Sequence, residues 1–209
     1  MARDMTKGRI LPQMTAFAIP LILGNLFQIL YNATDSIIVG KFVGDDALAA
    51  VGTAGPIMNM AILFISGMCM GAGILMSTLY GAKDMKNLEK QISTTLIGGL
   101  VFSLLIAFLM IVFAVPILRL INSPEEIIGS AAIYLSVVFL GLIFTFVYNF
   151  LANTLRALGD SRTPLYFLVI SAFLNVAGDL LFVVTLKLGV MGSAVATVLS
   201  EALCCVCCG

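Results

Sequence analysis

Charged residues in this 209-residue chain fall in short clusters, and the stretches between them are apolar: residues 12–40, 47–82, 91–118, 127–155, 163–186 and 189–209. A helix needs about 20 apolar residues to cross a bilayer, so each stretch predicts one membrane-spanning helix. Charged residues make up only 11% of the chain and mean hydropathy is +1.12, whereas soluble domains carry about 25% charge. The predicted fold class is therefore all-α, a polytopic membrane protein of six transmembrane helices. The second stretch would reach ~54 Å as a straight helix. It must tilt, bend or project past the lipid, and Gly52, Gly55, Pro56, Gly67, Gly71 and Gly73 are its candidate bending points.

The basic residues set a direction. With residues 1–9 as a cytoplasmic N-terminal segment, Arg3, Lys7, Arg9, Lys83, Lys86, Lys90, Arg156 and Arg162 share the cytoplasmic side, and only Lys41, Arg119 and Lys187 lie opposite. This is a positive-inside bias. The short connections predict antiparallel neighbours, and Gly67-Met-Cys-Met-Gly71 is a small-xxx-small pattern suited to close helix packing.

Several function classes drop out. A formal net charge of zero gives no basic footprint for nucleic acid. Without histidine, neither His-based metal sites nor Ser–His or Cys–His nucleophilic pairs can form. No glycine loop followed by Lys-Ser/Thr supports nucleotide-driven pumping, and no enzyme activity or organic cofactor is expected. Four of the five cysteines, Cys204, Cys205, Cys207 and Cys208, crowd the last residues. Cys204, Cys207 and Cys208 share a helix face where a soft metal is conceivable, but small apolar residues of a membrane helix are the simpler reading.

Three carboxylates interrupt the apolar stretches: Asp35, Asp179 and Glu201. An acid at mid-bilayer costs about 2.5–3.5 kcal/mol on insertion scales, so such residues face a bundle interior or a water-filled cavity. At the rise of an α-helix, Asp35 lies ~7–8 Å before Gly40, Asp179 ~12 Å before Lys187 and Thr197 ~10 Å after Val190. Three helices thus place polar groups in one layer. Asn175 precedes Asp179 by four residues on the same face, and Asn32 precedes Asp35 by three. Together Asp35, Asn175, Asp179 and Thr197 offer oxygen ligands for a proton or a hard cation such as Na⁺. Glu201 reads either as a secondary acid or as a pairing partner for helices outside this chain.

PLILGNLFQILYNATDSIIVG in the first stretch, STLYGAKD after the second, NTLRALGDSRTP after the fourth and NVAGD in the fifth resemble the multidrug and toxic compound extrusion (MATE) transporters, in particular their bacterial DinF-like branch. The resemblance implies one six-helix lobe, the N-terminal one, of a twelve-helix transporter in the bacterial inner membrane. On that footing the chain is expected to be a fragment truncated in its sixth helix, lacking a C-terminal six-helix lobe as partner. The implied function is antiport by alternating access, with H⁺ or Na⁺ as coupling ion and organic cations or other amphipathic drugs as cargo. The resemblance carries the cation site onto Asp35, Asn175, Asp179 and Thr197, and a candidate hinge onto Pro20; it gives Glu201 no role. Cargo and coupling ion are expected to compete for the electrostatic environment of the two aspartates. The alternatives are a lipid or lipid-linked saccharide flippase of related architecture, or a truncated chain inactive without its second half. In the connector Leu155–Pro164, Gly159 can end a helix, Asp160 and Ser161 can cap the next, and Pro164 suits a first turn.

Overall fold

The computed structural model describes residues 10–208, and among these every regular element is helical. The expected N-terminal segment 1–9, and the side chains of Cys207 and Cys208, lie outside the described residues. Six antiparallel rods follow in order: α1 (Ile10–Phe42), α2 (Asp45–Gly81), α3 (Met85–Leu120), α4 and α5 (Glu125–Leu140, Leu142–Ala157), α6 (Arg162–Asp179) prolonged by a π-helical segment Leu180–Thr185, and α7 (Val190–Cys208). Four of these helices are long and apolar enough to cross a membrane. The α4–α5 pair adds a fifth span, and α7 is a shorter apolar helix. The protein is a multi-pass membrane protein.

Local chemistry explains the rod ends. Asp45 and Asp46 occupy the first turn of α2, and Glu125 and Glu126 that of α4, where the helix dipole favours negative charge. Asp84 caps α3 by accepting from the Asn87 backbone N–H at 3.2 Å and from its Nδ2 at 2.6 Å. After α5, Gly159 takes φ +87°, a left-handed conformation that glycine adopts without strain. Asp160 then accepts from the N–H groups of Arg162 and Thr163 at 3.0 and 3.1 Å and from the Thr163 hydroxyl at 2.8 Å. Asp160 alone does the capping; the Ser161 side chain makes no cap bond.

α2 runs unbroken through Pro56 and its glycines, and the bend falls elsewhere: α4 and α5 meet at 45° across Gly141. A Cβ on Gly141 would collide with Val198 of α7, so the bend lets α7 lie against the kink. Close approach is also required at Gly99, where the ring of Phe146 occupies the space of a side chain. Gly67 and Gly71 pack against no other helix of this chain. Both are exposed, and an added Cβ would meet nothing within 4 Å at either.

The core gathers where α4 and α5 thread between α2, α3 and α7, around Phe139, Phe146, Leu142, Leu135, Ile65 and Leu118. Many of the other interface residues are small, among them Ala50, Ala54, Ala61, Ala107 and Ala131, as expected where helices in lipid gain by close backbone contact. Large apolar side chains such as Ile22, Leu63, Phe108 and Phe173 point outward. α1 packs chiefly along α6, with Gly24 set against Leu168.

Candidate functional site

Two polar features adjoin α1, one after the other along its length. The first is a buried cluster where α1, α6 and α7 meet. Asp179 is fully buried and Asn175 is 1% exposed; Asp35 is 8% exposed. Asp179 ends the α-helical part of α6, directly before the π-helical segment. That segment opens the ladder to i→i+5 bonding, as in Leu186 N–H to Leu181 O at 2.9 Å. Such bulges recur at functional sites. Here it accompanies backbone contact with α7, where a Cβ on Gly192 would come within 3.0 Å of the Phe182 carbonyl.

The cluster is wired from α7. Ser193 donates its hydroxyl to Asp35 Oδ1 at 2.6 Å. One turn on, the Thr197 hydroxyl donates to the Ser193 carbonyl at 3.1 Å and accepts from Asn175 Nδ2 at 3.1 Å. Asp35 and Asp179 stand within hydrogen-bonding reach of each other, but two carboxylates have no proton to share. Asp179 Oδ1 and Oδ2 and Asn175 Oδ1 are all buried without a donor among the described residues. Buried polar atoms normally have partners, and orphans cost about 1–3 kcal/mol each, more when charged. Three acceptor oxygens beside a second carboxylate suit a proton or a small hard cation.

The structure brings the four sequence-derived residues Asp35, Asn175, Asp179 and Thr197 into this one cluster. Asn32 does not join them. It is exposed and lines the second feature, a cavity of about 400 Å³ between α1, α2, α5, α6 and α7. Its walls include Pro20, Gln28 and Tyr31 of α1, Ser66 of α2, Thr145 and Asn149 of α5, and Glu201 of α7. α1 passes Pro20 without a break, and that proline is buried against the cavity. Neither Asp35 nor Asp179 lines the cavity. Gln28, Tyr31 and Asn32 occupy the same face of α1 as Asp35, so the cavity lies one turn along that face from the aspartates.

A family model described as MatE matches residues 20–181, more than half the chain. The chain belongs to the MatE family. This MatE chain is 35% identical over 202 residues to a probable multidrug resistance protein, YpnP, of Bacillus subtilis strain 168, covering 96% of this chain and 45% of that protein. Its fold is similar to that of a MOP superfamily transporter from Pyrococcus furiosus, with TM-score 0.88 and 28% identity over 94% of this chain and 43% of that one. The same values relate it to a multidrug resistance MATE family transporter solved in an outward-facing conformation. The MatE chain thus spans a little under half the length of these proteins.

Two kinds of residue in the MatE cluster escape sequence reasoning. Ser193 sits four residues before Thr197, so helical spacing put it on the same face, but a lone serine among Gly and Ala looks like packing. Tyr31, on the cavity wall, and the buried Tyr134 both lie within electrostatic reach of Asp35, Asp179 and Glu201. At the chain's end, the Cys204 and Cys205 thiols turn to different carbonyls, Phe167 O at 3.1 Å and Phe144 O at 3.2 Å. Among the described residues no group of three or more potential ligands from Cys, Asp and Glu forms; the Cys207 and Cys208 side chains lie outside them.

Proposed function

We propose that this chain is the cation-binding lobe of a multidrug exporter that exchanges H⁺ or Na⁺ for amphipathic, mainly cationic drugs by alternating access. The observation that carries this reading is the set of orphaned oxygens on Asp179 and Asn175, beside Asp35 in a buried helix interface. Such a set is costly unless a proton or cation sits among it. The cluster joins α1, α6 and α7, so a bound cation ties three rods together and its loss frees them.

Coupling runs through α1. Along one face of this helix Pro20, Gln28, Tyr31 and Asn32 reach the cavity and Asp35, one turn further on, enters the cation cluster. A cation that favours one position of α1 and a cargo that favours another oppose each other without touching, and linkage makes the effect reciprocal. Pro20 removes one hydrogen bond from the α1 ladder, which makes it the natural point for the helix to yield.

Lys83, Lys86, Lys90, Arg156 and Arg162 gather at the end of the bundle where α1 begins, a positive-inside bias that supports a cytoplasmic location for that end in a bacterial inner membrane. The partner is a second six-helix lobe. Surrounding lipid contacts the apolar outer faces. The test is cation release from the reconstituted protein on addition of a cationic drug, compared with Asp179→Asn. Release that is drug-dependent in the wild type and lost in the variant supports the assignment; equal release in both rejects it.

A further inference from the structure

One carboxylate in this bundle is not used by the cation cluster. Glu201 lies on α7 and lines the cavity, and its Oε2 accepts from the Thr145 hydroxyl at 2.5 Å. Nearby on the wall, Asn149 donates its Nδ2 to the Thr145 backbone carbonyl at 2.8 Å and accepts at Oδ1 from the Ser66 hydroxyl at 3.4 Å. The Thr145 hydroxyl of α5 thus fixes one oxygen of an acid on α7, beside the polar side chains of Asn149 and Ser66 on the cavity wall.

We propose that Glu201 is the residue that recognises positive charge on the cargo. The cavity then takes a monovalent organic cation, its charged nitrogen at Glu201 and its apolar body against Met58, Ile62 and Leu165. This assignment rests on the exporter reading above and specifies its substrate class. Three observations carry it. First, among the described residues no Lys or Arg neutralises Glu201; the ion pair found there joins Arg119 to Glu125 at the bundle surface. Second, the cavity's basic residue, Arg156, lies eleven residues along α5 from Thr145, ~16 Å at helical rise. The cavity is thus polarised, acid at one end and base at the other. Third, Asp35 and Asp179 do not line the cavity, so Glu201 is the carboxylate a cargo there can reach.

A packing role for Glu201 accounts for less. An amide or a second hydroxyl would pair with Thr145 at lower desolvation cost than a carboxylate. An acid fixed on the cavity wall with no basic partner is instead what charge selection requires. Tyr31 and Tyr134, within reach of Glu201 and both aspartates, place the two sites in electrostatic contact.

The test uses two fluorescent probes with the protein in lipid nanodiscs: ethidium, which is cationic, and N-phenyl-1-naphthylamine, which is neutral. Glu201→Gln is expected to weaken ethidium binding at least tenfold and to change binding of the neutral probe less than twofold. Glu201→Asp, which keeps the charge, is expected to recover part of the ethidium affinity. Unchanged ethidium affinity in Glu201→Gln overturns the proposal. So does a parallel loss of both probes, which makes Glu201 a packing residue. Failure of the exporter reading shows separately, as wild-type protein that releases no cation when ethidium is added.

Discussion

Ser193 donates its hydroxyl to Asp35 Oδ1 at 2.6 Å, bridging α7 and α1 through two buried side chains. This bond ties the cation cluster to the helix that also forms the cavity wall. Ser193→Ala removes the donor without adding bulk, leaving a buried carboxyl oxygen without that partner. The expected cost is about 1–3 kcal/mol, read as a lower unfolding temperature in detergent. A variant as stable as the wild type would mean that Asp35 is satisfied by other means.

Asp179→Asn acts in the opposite direction on stability. The amide supplies a donor where two carboxyl groups now face each other without one. Replacing an unsatisfied buried acid is expected to raise stability by about 1–3 kcal/mol, while cation exchange is lost. Sites that bind and release ions carry this conflict between stability and function. Thermal unfolding across a Na⁺ series and a pH series checks both parts: the variant's midpoint should be higher and should respond less to either. A lower midpoint overturns the assignment of Asp179 as an unsatisfied group.

The rods and the acids were legible because both rest on strong, local costs. A helix in lipid needs a long apolar run, and Asp35 and Asp179 stand out because a carboxylate there must find an unusual environment. Depth along the helices placed Asp35, Asp179 and Thr197 at one level, and the structure brings them together. The side of the helix was harder. Asn32 is one turn from Asp35, but a three-residue step rotates about 60° around the axis. That rotation, with a step of ~4.5 Å along the axis, moves it from the cluster to the cavity. The bend at Gly141 was hidden for a different reason. Its cause is the approach of Val198, 57 residues later in the chain, and no local pattern separates Gly141 from glycines such as Gly67 that touch nothing. Ser193 was silent because a small hydroxyl fits a tight helix crossing as well as a ligand network.

The contrast between glycines is itself testable. Gly99→Ala sets a methyl group into the ring of Phe146, and overpacking of this kind costs about 1–3 kcal/mol. Gly67→Ala meets nothing within 4 Å in this chain and gains helix propensity, so it is expected to be neutral or stabilising by up to about 1 kcal/mol. Unfolding midpoints of the two variants of this chain decide the matter. If both were equally destabilising, the packing at Gly99 would not be the source of its cost.

Outside the membrane, the connector before α6 carries a pH-dependent contribution. Slight burial works to raise the Asp160 carboxyl, but the N–H and hydroxyl of Thr163 and the N–H of Arg162 outweigh it and hold the group below the ordinary carboxylate range. A depressed value means that the folded state favours the charged form. The stabilisation is therefore fully present above the unfolded-state value, about 3.9, and is lost as pH falls through the folded-state value. Asp160→Ala removes the cap and should cost about 0.5–2 kcal/mol near neutral pH. Because the wild type loses the same bonds on protonation, the two proteins should converge in stability in strong acid. Unfolding midpoints from pH 7 downward measure this, and a gap that stays constant to the lowest pH would show that Asp160 acts through something other than its charge.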